Sequence, residues 1–304
     1  MLDGILTDAS ENYAYAYFGI IIVIALAEWA VPRRAPGETL TVRWVNNFAL
    51  TIVDSIVLRV VFPVATITWA VVCAERGWGL LNSVEWPRPL VWLIAIGALD
   101  LALYGQHRLL HAVPILWRIH RTHHSDIDYD FTTGARFHPI ESVYTTLVQF
   151  GAITLIGAPA ASVFVAQVLS LLATFVEHGN VRIPRAVEAA LRTVFVTPDM
   201  HRIHHSQVGR ESRSNFSNLF SWWDRLFGTY VKEPAAGHDA IAFGLPGFQE
   251  RKHATLHWML AQPFLPDSQA PSPAERAAAV PPRTHDTTAA ENSAAVAATT
   301  SAPR

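Results

Sequence analysis

Long apolar segments constrain the fold of this 304-residue chain more than any other feature of its sequence. Such segments cover residues 13–31, 44–74, 89–104 and 141–176. The first is long enough to cross a hydrocarbon core of roughly 30 Å as a helix that rises about 1.5 Å per residue. Charged residues make up only 16% of the chain, whereas roughly a quarter is typical of soluble domains. The pattern predicts an all-α integral membrane protein with about four transmembrane helices or hairpins.

Two of these segments are interrupted. Asp54, Arg59 and Pro63 divide the second one, which predicts a single kinked or broken span. Because charges are costly in lipid, Asp54 and Arg59 are expected to face other helices, and we interpret them as a polar pair that fixes helix packing rather than as a functional site. The sequence Gly157-Ala158-Pro159 divides residues 141–176, which predicts a tight hairpin that crosses twice.

The positions of the arginines predict the orientation of these spans. Arg33, Arg34 and Arg43 follow the first apolar segment, and three more arginines follow the last one, at positions 182, 185 and 192. By the positive-inside rule both regions are expected in the cytoplasm, together with a histidine-rich helical cap. The single cysteine cannot form an internal disulfide, and the sequence carries no organelle signal. A bacterial inner membrane is therefore the favoured location, and the endoplasmic reticulum is the alternative.

Histidine is concentrated in one part of the chain, where ten of the 14 histidines lie between positions 107 and 205. Positions i, i+3 and i+4 share one face of a helix, so histidines at these spacings point to one side. Pro114 separates the first two motifs onto different helices, and Thr197-Pro198 predicts a capped helix start just before the third. The three motifs are His107/His111, His120/His123/His124 and His201/His204/His205.

Imidazole ligands without thiolate suit iron, zinc, copper or nickel. Eight histidines exceed the three or four ligands of one zinc site, so a dinuclear site explains their number better. Iron is preferred because a redox-active metal at a membrane surface suits oxygen activation on an apolar substrate. Two alternatives stay open: a dinuclear zinc hydrolase, which would be expected to use carboxylate ligands, and a non-catalytic metal-binding membrane scaffold.

Six segments around the motifs resemble the fatty acid hydroxylase/sterol desaturase superfamily over about residues 95–231. The resemblance implies a non-haem di-iron centre that hydroxylates or desaturates a lipid, such as a sterol or a fatty acyl chain, with O2. It also implies electrons from NAD(P)H through a separate reductase and a carrier of the cytochrome b5 or ferredoxin type. The segments cover residues 104–111, 116–125, 136–141, 177–180, 197–206 and 223–230.

The same resemblance implies the ligand set. His138 and His178 occupy two further positions where the family often has histidine, and Thr174 stands where its eukaryotic fatty acid hydroxylases have another. Glu177, Asp199 and Asn180 are candidates for orienting ligand imidazoles, although capping a helix explains Asp199 equally well. The eight histidines of the three motifs are the implied ligands: His107, His111, His120, His123, His124, His201, His204 and His205.

The domain boundaries follow from these segments. We expect transmembrane helices over residues 1–90, the catalytic domain over 91–235, a C-terminal extension over 236–265 and a disordered tail over 266–304, where large apolar residues are almost absent. The net charge of -2 gives no basic excess, so no nucleic-acid partner is expected.

Overall fold

The computed structural model describes residues 2–37, 39–62 and 64–266, so the predicted tail lies almost wholly outside the described residues. The described part of the chain is helical and contains only isolated β-bridges besides its helices and loops. This confirms the predicted all-α class. Its α-helices are α1 (Leu2–Ala30), α2 (Leu40–Val61), α3 (Thr66–Glu75), α4 (Arg88–Ala112), α5 (Pro114–His124), α6 (Pro139–Ile156), α7 (Ala160–Glu177), α8 (Arg185–Leu191), α9 (Pro198–His204), α10 (Trp222–Leu226) and α11 (Leu256–Ala261).

Four helical regions of the described chain are long and apolar enough to cross a membrane: Glu11–Ala30, Leu40–Ser83, Arg88–Ala112 and Ala160–Glu177. Their outer surfaces carry large apolar side chains, such as Trp29 and Val60, which are 84% and 77% exposed. Apolar surface of this extent is unfavourable in water but not against lipid tails. The helices therefore form a membrane protein.

The second apolar segment is broken, as predicted. Helix α2 ends at Val61, and α3 begins only at Thr66. Three residues join α6 to α7 at the predicted turn, but only α7 is among the candidate spans of the described chain, so a double crossing of this segment stays a prediction. Gly157 adopts a positive φ of 71°, and a Cβ there would lie 2.9 Å from the main-chain oxygen of Trp78. Only glycine fits this close turn without strain.

Helix α4 extends eight residues beyond the predicted segment and carries His107 and His111 in its last two turns. Val113 then adopts an extended conformation in front of Pro114, which disfavours helical geometry in the preceding residue. The first two histidine motifs therefore lie on separate helices, as predicted. The third lies on α9, where the Thr197 side chain accepts a hydrogen bond from the amide of Met200, as expected for a capped start.

A buried ion-pair network joins α2 to the segment that follows α5. The fully buried guanidinium of Arg43 lies 2.6 Å from Asp126 Oδ1 and 2.6 Å from Asp130 Oδ2. Arg136 bonds the main-chain oxygen of Thr122 and the side chain of Asn47. Arg43 therefore stabilises the packing of the histidine-bearing helices, and it is a poor indicator of membrane orientation.

Candidate metal centre

Nine histidines converge in two groups at one end of the helix bundle. Within each group, one ligand atom per residue lies within 4.8 Å of all the others. Each three-histidine motif contributes to both groups, so neighbouring rings on α5, such as His123 and His124, belong to different groups. Group 1 is His107, His111, His120, His124 and His204, and group 2 is His123, His178, His201 and His205.

The hydrogen bonds of group 1 fix which ring nitrogens carry lone pairs. His107 Nδ1 donates to the main-chain oxygen of Phe216 at 2.8 Å, and His120 Nδ1 donates to Glu141 Oε1 at 2.7 Å. The Nε2 atom of each neutral ring is therefore unprotonated. These two Nε2 atoms lie only 3.2 Å apart. Two lone pairs at this distance repel each other unless a cation lies between them.

Group 2 has the same arrangement around His178. Its Nδ1 donates to the main-chain oxygen of Thr174 at 2.6 Å, which leaves Nε2 as a lone-pair donor. That Nε2 lies 3.2 Å, 3.1 Å and 3.2 Å from Nε2 of His123, His201 and His205. Nitrogens bound at about 2.1 Å to one ion stand about 3.0–3.4 Å apart. The residues present therefore fit a metal ion.

Burial keeps these imidazoles neutral. It lowers the pKa of His120 and of His178 to about 3, and it lowers the pKa of His124 and His204 well below the usual 6.5. Neutral imidazole is the form that binds metal ions. The Nε2 atoms of His111, His124 and His204 are also buried without a hydrogen-bond partner. Buried polar atoms normally have one, and a bound ion would supply it for all three.

Two carboxylates contact the histidines from outside. Glu141 holds His120 through the short hydrogen bond described above. The two carboxyl oxygens of Glu177 lie 3.8 Å from Nδ1 of His178 and of His201, respectively. This distance is too long for a hydrogen bond but short enough for electrostatic attraction. The predicted role of Glu177 is compatible with this position. Glu141 was missed as an orienting residue, and its only signal was its place in the first turn after His138-Pro139.

Three predicted residues lie elsewhere. His138 is in neither group, because its Nδ1 accepts from the amide of Ile140 and its Nε2 lies 3.3 Å from the main-chain oxygen of Leu260. Asp199 faces Arg33 and Arg202. Asn180 bonds the main chain of Arg34 through both its amide atoms. His138 caps α6, whereas Asp199 and Asn180 hold neighbouring loops in place. None of the three belongs to either histidine group.

A cavity of about 1380 Å³ leads from the histidines into the bundle. Its inner end is lined by rings of both groups, including His107, His120, His123, His178 and His201. Its outer part is lined by α1, α2 and α3, with Phe18, Phe62 and Val64 among the side chains. Because α1 and α2 belong to candidate membrane spans, the cavity connects the lipid region with the histidines.

Comparison with known proteins identifies several similar proteins. Human "alkylglycerol monooxygenase" is 29% identical over 54% of this chain and 35% of its own length. The "ornithine lipid hydroxylase OlsE" of Rhizobium tropici is 27% identical over 82% of this chain and 74% of its own, and rat "methylsterol monooxygenase 1" is 31% identical over 42% of each. The chain thus spans only about a third of the alkylglycerol monooxygenase. No solved structure matches significantly.

The family model described as "Fatty acid hydroxylase" matches residues 92–229. This range begins within α4 and includes every histidine of both groups. Over these residues, the chain is similar to the fatty acid hydroxylase family.

Proposed function

We propose that this chain is a membrane-bound non-haem di-iron oxygenase that hydroxylates or desaturates a lipid. One observation carries the proposal: the lone pairs of two all-histidine groups converge at the closed end of a cavity that begins between membrane-spanning helices. The names of the relatives support the substrate class, because each refers to the oxidation of a lipid.

The proposed ligands are the nine histidines of the two groups. The bound iron pair would supply oxygen activation and the oxidation of a C–H bond. In hydroxylation one atom of O2 enters that bond and the other leaves as water, with two electrons and two protons supplied; in desaturation both atoms leave as water. The two electrons come from NAD(P)H through a separate carrier, of the cytochrome b5 or ferredoxin type.

The chain's own residues orient the ligands and enclose the substrate. Main-chain oxygens of Phe216, Thr174 and Ser214 each accept from Nδ1 of one ligand imidazole and so fix its tautomer. The apolar walls of the cavity exclude water from the reacting bond. We further propose that the histidine end faces the cytoplasm of a bacterial inner membrane, where soluble electron carriers are available.

Metal analysis and oxygen dependence test the proposal together. The protein purified in detergent is expected to contain two iron ions per chain, and cell membranes that contain it are expected to form an oxidised lipid only with O2. His204→Ala is expected to abolish the product, whereas His257→Ala, at an exposed position outside both groups, is expected to leave it unchanged. Product formation without O2, or zinc with hydrolysis of an ester, would contradict the proposal.

A further inference from the structure

Four polar side chains line the wall of the cavity near its histidine end: Asp54 of α2, Gln106 of α4, and Ser142 and Thr145 of α6. We call them the polar belt. Gln106 Nε2 donates to Thr145 Oγ1 at 2.6 Å, and Ser142 lies close to Asp54. The belt therefore connects three helices on one side of the cavity.

The polar belt lies next to the histidines. Gln106 directly precedes His107, and Ser142 directly follows Glu141, which holds His120. Thr145 lies three residues after Ser142 along α6, a rise of about 4.5 Å. A molecule that contacts the belt is thus within a few bonds of the candidate metal centre.

The belt has unused hydrogen-bonding capacity. Asp54 Oδ1 and Gln106 Oε1 are buried without a hydrogen-bond partner. Both are acceptors, so the group that satisfies them must be a donor. Asp54 forms no ion pair with Arg59 among the described residues, and both side chains line the cavity. The packing role of these two residues stays a prediction, and an ionisable residue inside a membrane span is by default a candidate functional residue.

Outside the belt, apolar side chains make up most of the cavity wall, which also includes Gln149 and the hydrogen-bonded pair of Gln167 and Thr66. Helix α2 presents Leu58 and Phe62 in the two turns after Asp54, and α1 presents Tyr17 and Phe18. Arg59 is the charged exception, and it is exposed near the far end of α2, where a long side chain can reach the membrane surface. The two unpartnered acceptors of the belt thus lie in a cavity whose wall is mostly apolar.

We propose that the polar belt binds a hydrogen-bond-donating group of the lipid substrate, an alcohol or an amine. The reacting C–H bond then lies a few bonds from that group, and the alkyl chain extends outward between α1 and α2. This inference rests on the proposed function, because it takes the cavity as the lipid site. It narrows the substrate to an amphiphile that is oxidised close to its polar end, and it disfavours a plain hydrocarbon or the middle of a fatty acyl chain.

Binding of chain-length-matched probes tests the inference without turnover. The purified protein with its bound metal would be kept anaerobic in detergent and titrated with hexadecanol, hexadecylamine, palmitate and hexadecane. Hexadecanol or hexadecylamine is expected to bind at least about tenfold more tightly than hexadecane, since each donates a hydrogen bond to a buried acceptor that hexadecane leaves unpaired. The comparison between the first two probes distinguishes an alcohol from an amine substrate.

Variants of the belt assign the difference to named residues. Asp54→Leu and Thr145→Val are expected to remove most of the preference for the polar probe while hexadecane binds as before. The matched control is Thr154→Val, on the same helix but outside the cavity, where the hydroxyl accepts from the Trp69 ring nitrogen. The folded fraction of the Thr154→Val variant is expected to keep the preference for the polar probes over hexadecane.

Three outcomes would overturn the inference: equal affinity for hexadecanol and hexadecane, tightest binding of palmitate, or an unchanged preference in both belt variants. Tightest binding of palmitate would mean that Arg59 binds the polar group of the lipid. An unchanged preference in both variants would mean that the belt binds only water. Failure of the proposed function is a separate result. In that case the polar probes still bind selectively, but no oxidised product forms in the O2-dependent assay.

Discussion

At the residue scale, four imidazoles of the two groups are held through Nδ1, the nitrogen that faces away from the other rings: His107, His120, His178 and His204. Three of their partners are main-chain oxygens, and the fourth is the Glu141 carboxylate. A main-chain acceptor cannot be removed by substitution, but Glu141 can. The role of an orienting hydrogen bond is therefore testable at His120.

Glu141→Leu is expected to lower metal affinity about 10- to 100-fold, because the imidazole of His120 loses the partner that fixes its tautomer. Glu141→Gln is expected to recover most of this loss, since the amide oxygen accepts the same hydrogen bond. Competition with a chelator of known affinity measures the change, and Glu75→Leu, at an exposed helix end, is the control. Equal losses in the two Glu141 variants would show that the charge matters and the hydrogen bond does not.

Thr174 departs from the family pattern without removing a hydrogen bond from the site. Its main-chain oxygen accepts from His178, and its hydroxyl donates to Asn218. Thr174→Val keeps the carbonyl, so we expect unchanged metal stoichiometry and a loss of stability of about 1 kcal/mol from the missing hydroxyl bond. His178→Ala is the comparison and is expected to lose metal. Similar metal loss in both variants, measured by elemental analysis, would contradict this reading.

The three histidine motifs could be recognised from the sequence because their spacing is local. Helical periodicity places two or three imidazoles of each motif on one face, and it needs no tertiary information. Glu141 was beyond this reasoning, since its pairing with His120 joins residues 21 positions apart on different helices. His138 lies outside both groups, because its place beside Pro139 makes it the cap of α6.

At the element scale, the buried pairs of Arg43 hold the start of α2 against the loop that follows α5. Apolar periodicity predicted that α2 exists, but it gave no sign that its first turn would be buried among carboxylates. The broken second span and the turn between α6 and α7 were predictable because proline and glycine act locally. The cavity was not, since it depends on how α1, α2 and α6 pack.

Arg43→Leu is expected to destabilise the protein by about 3–5 kcal/mol, because Asp126 and Asp130 become buried charges without their partner. Chemical denaturation in detergent, followed by tryptophan fluorescence, measures the loss. Arg88→Leu, at an exposed position, is the control and is expected to change stability by less than about 0.5 kcal/mol. A similar small change in Arg43→Leu would mean that the network contributes little.

At the scale of the whole molecule, the neutral histidine cluster makes stability depend on pH. The folded-state pKa of His120 and of His178 is lowered to about 3 by burial, against about 6.5 in an unfolded chain. Between these values the unfolded chain binds more protons, so stability is lost as pH falls from about 6.5 towards 3. Each such imidazole removes about 1.4 kcal/mol per pH unit.

Metal-stripped protein in detergent is therefore expected to be folded at pH 8 and to unfold progressively below about pH 6. Metal-loaded protein is expected to stay folded to a lower pH than the stripped protein, because a bound cation competes with protons for the same lone pairs. Near-UV circular dichroism across this range follows both samples. Equal stability of the stripped protein at pH 8 and pH 5 would contradict the buried, neutral state of the cluster.

The division of each three-histidine motif between both groups has a consequence for metal loading. His123 and His124 are adjacent on α5 but serve different groups, so an ion that orders one ring also orders the backbone that carries the other. The second ion then meets less conformational freedom and binds with positive cooperativity. Native mass spectrometry during Fe(II) titration is expected to show chiefly chains with no iron or two, and a dominant one-iron species would contradict it. Limited iron would then leave a mixture of empty and fully loaded molecules instead of a uniformly half-filled population.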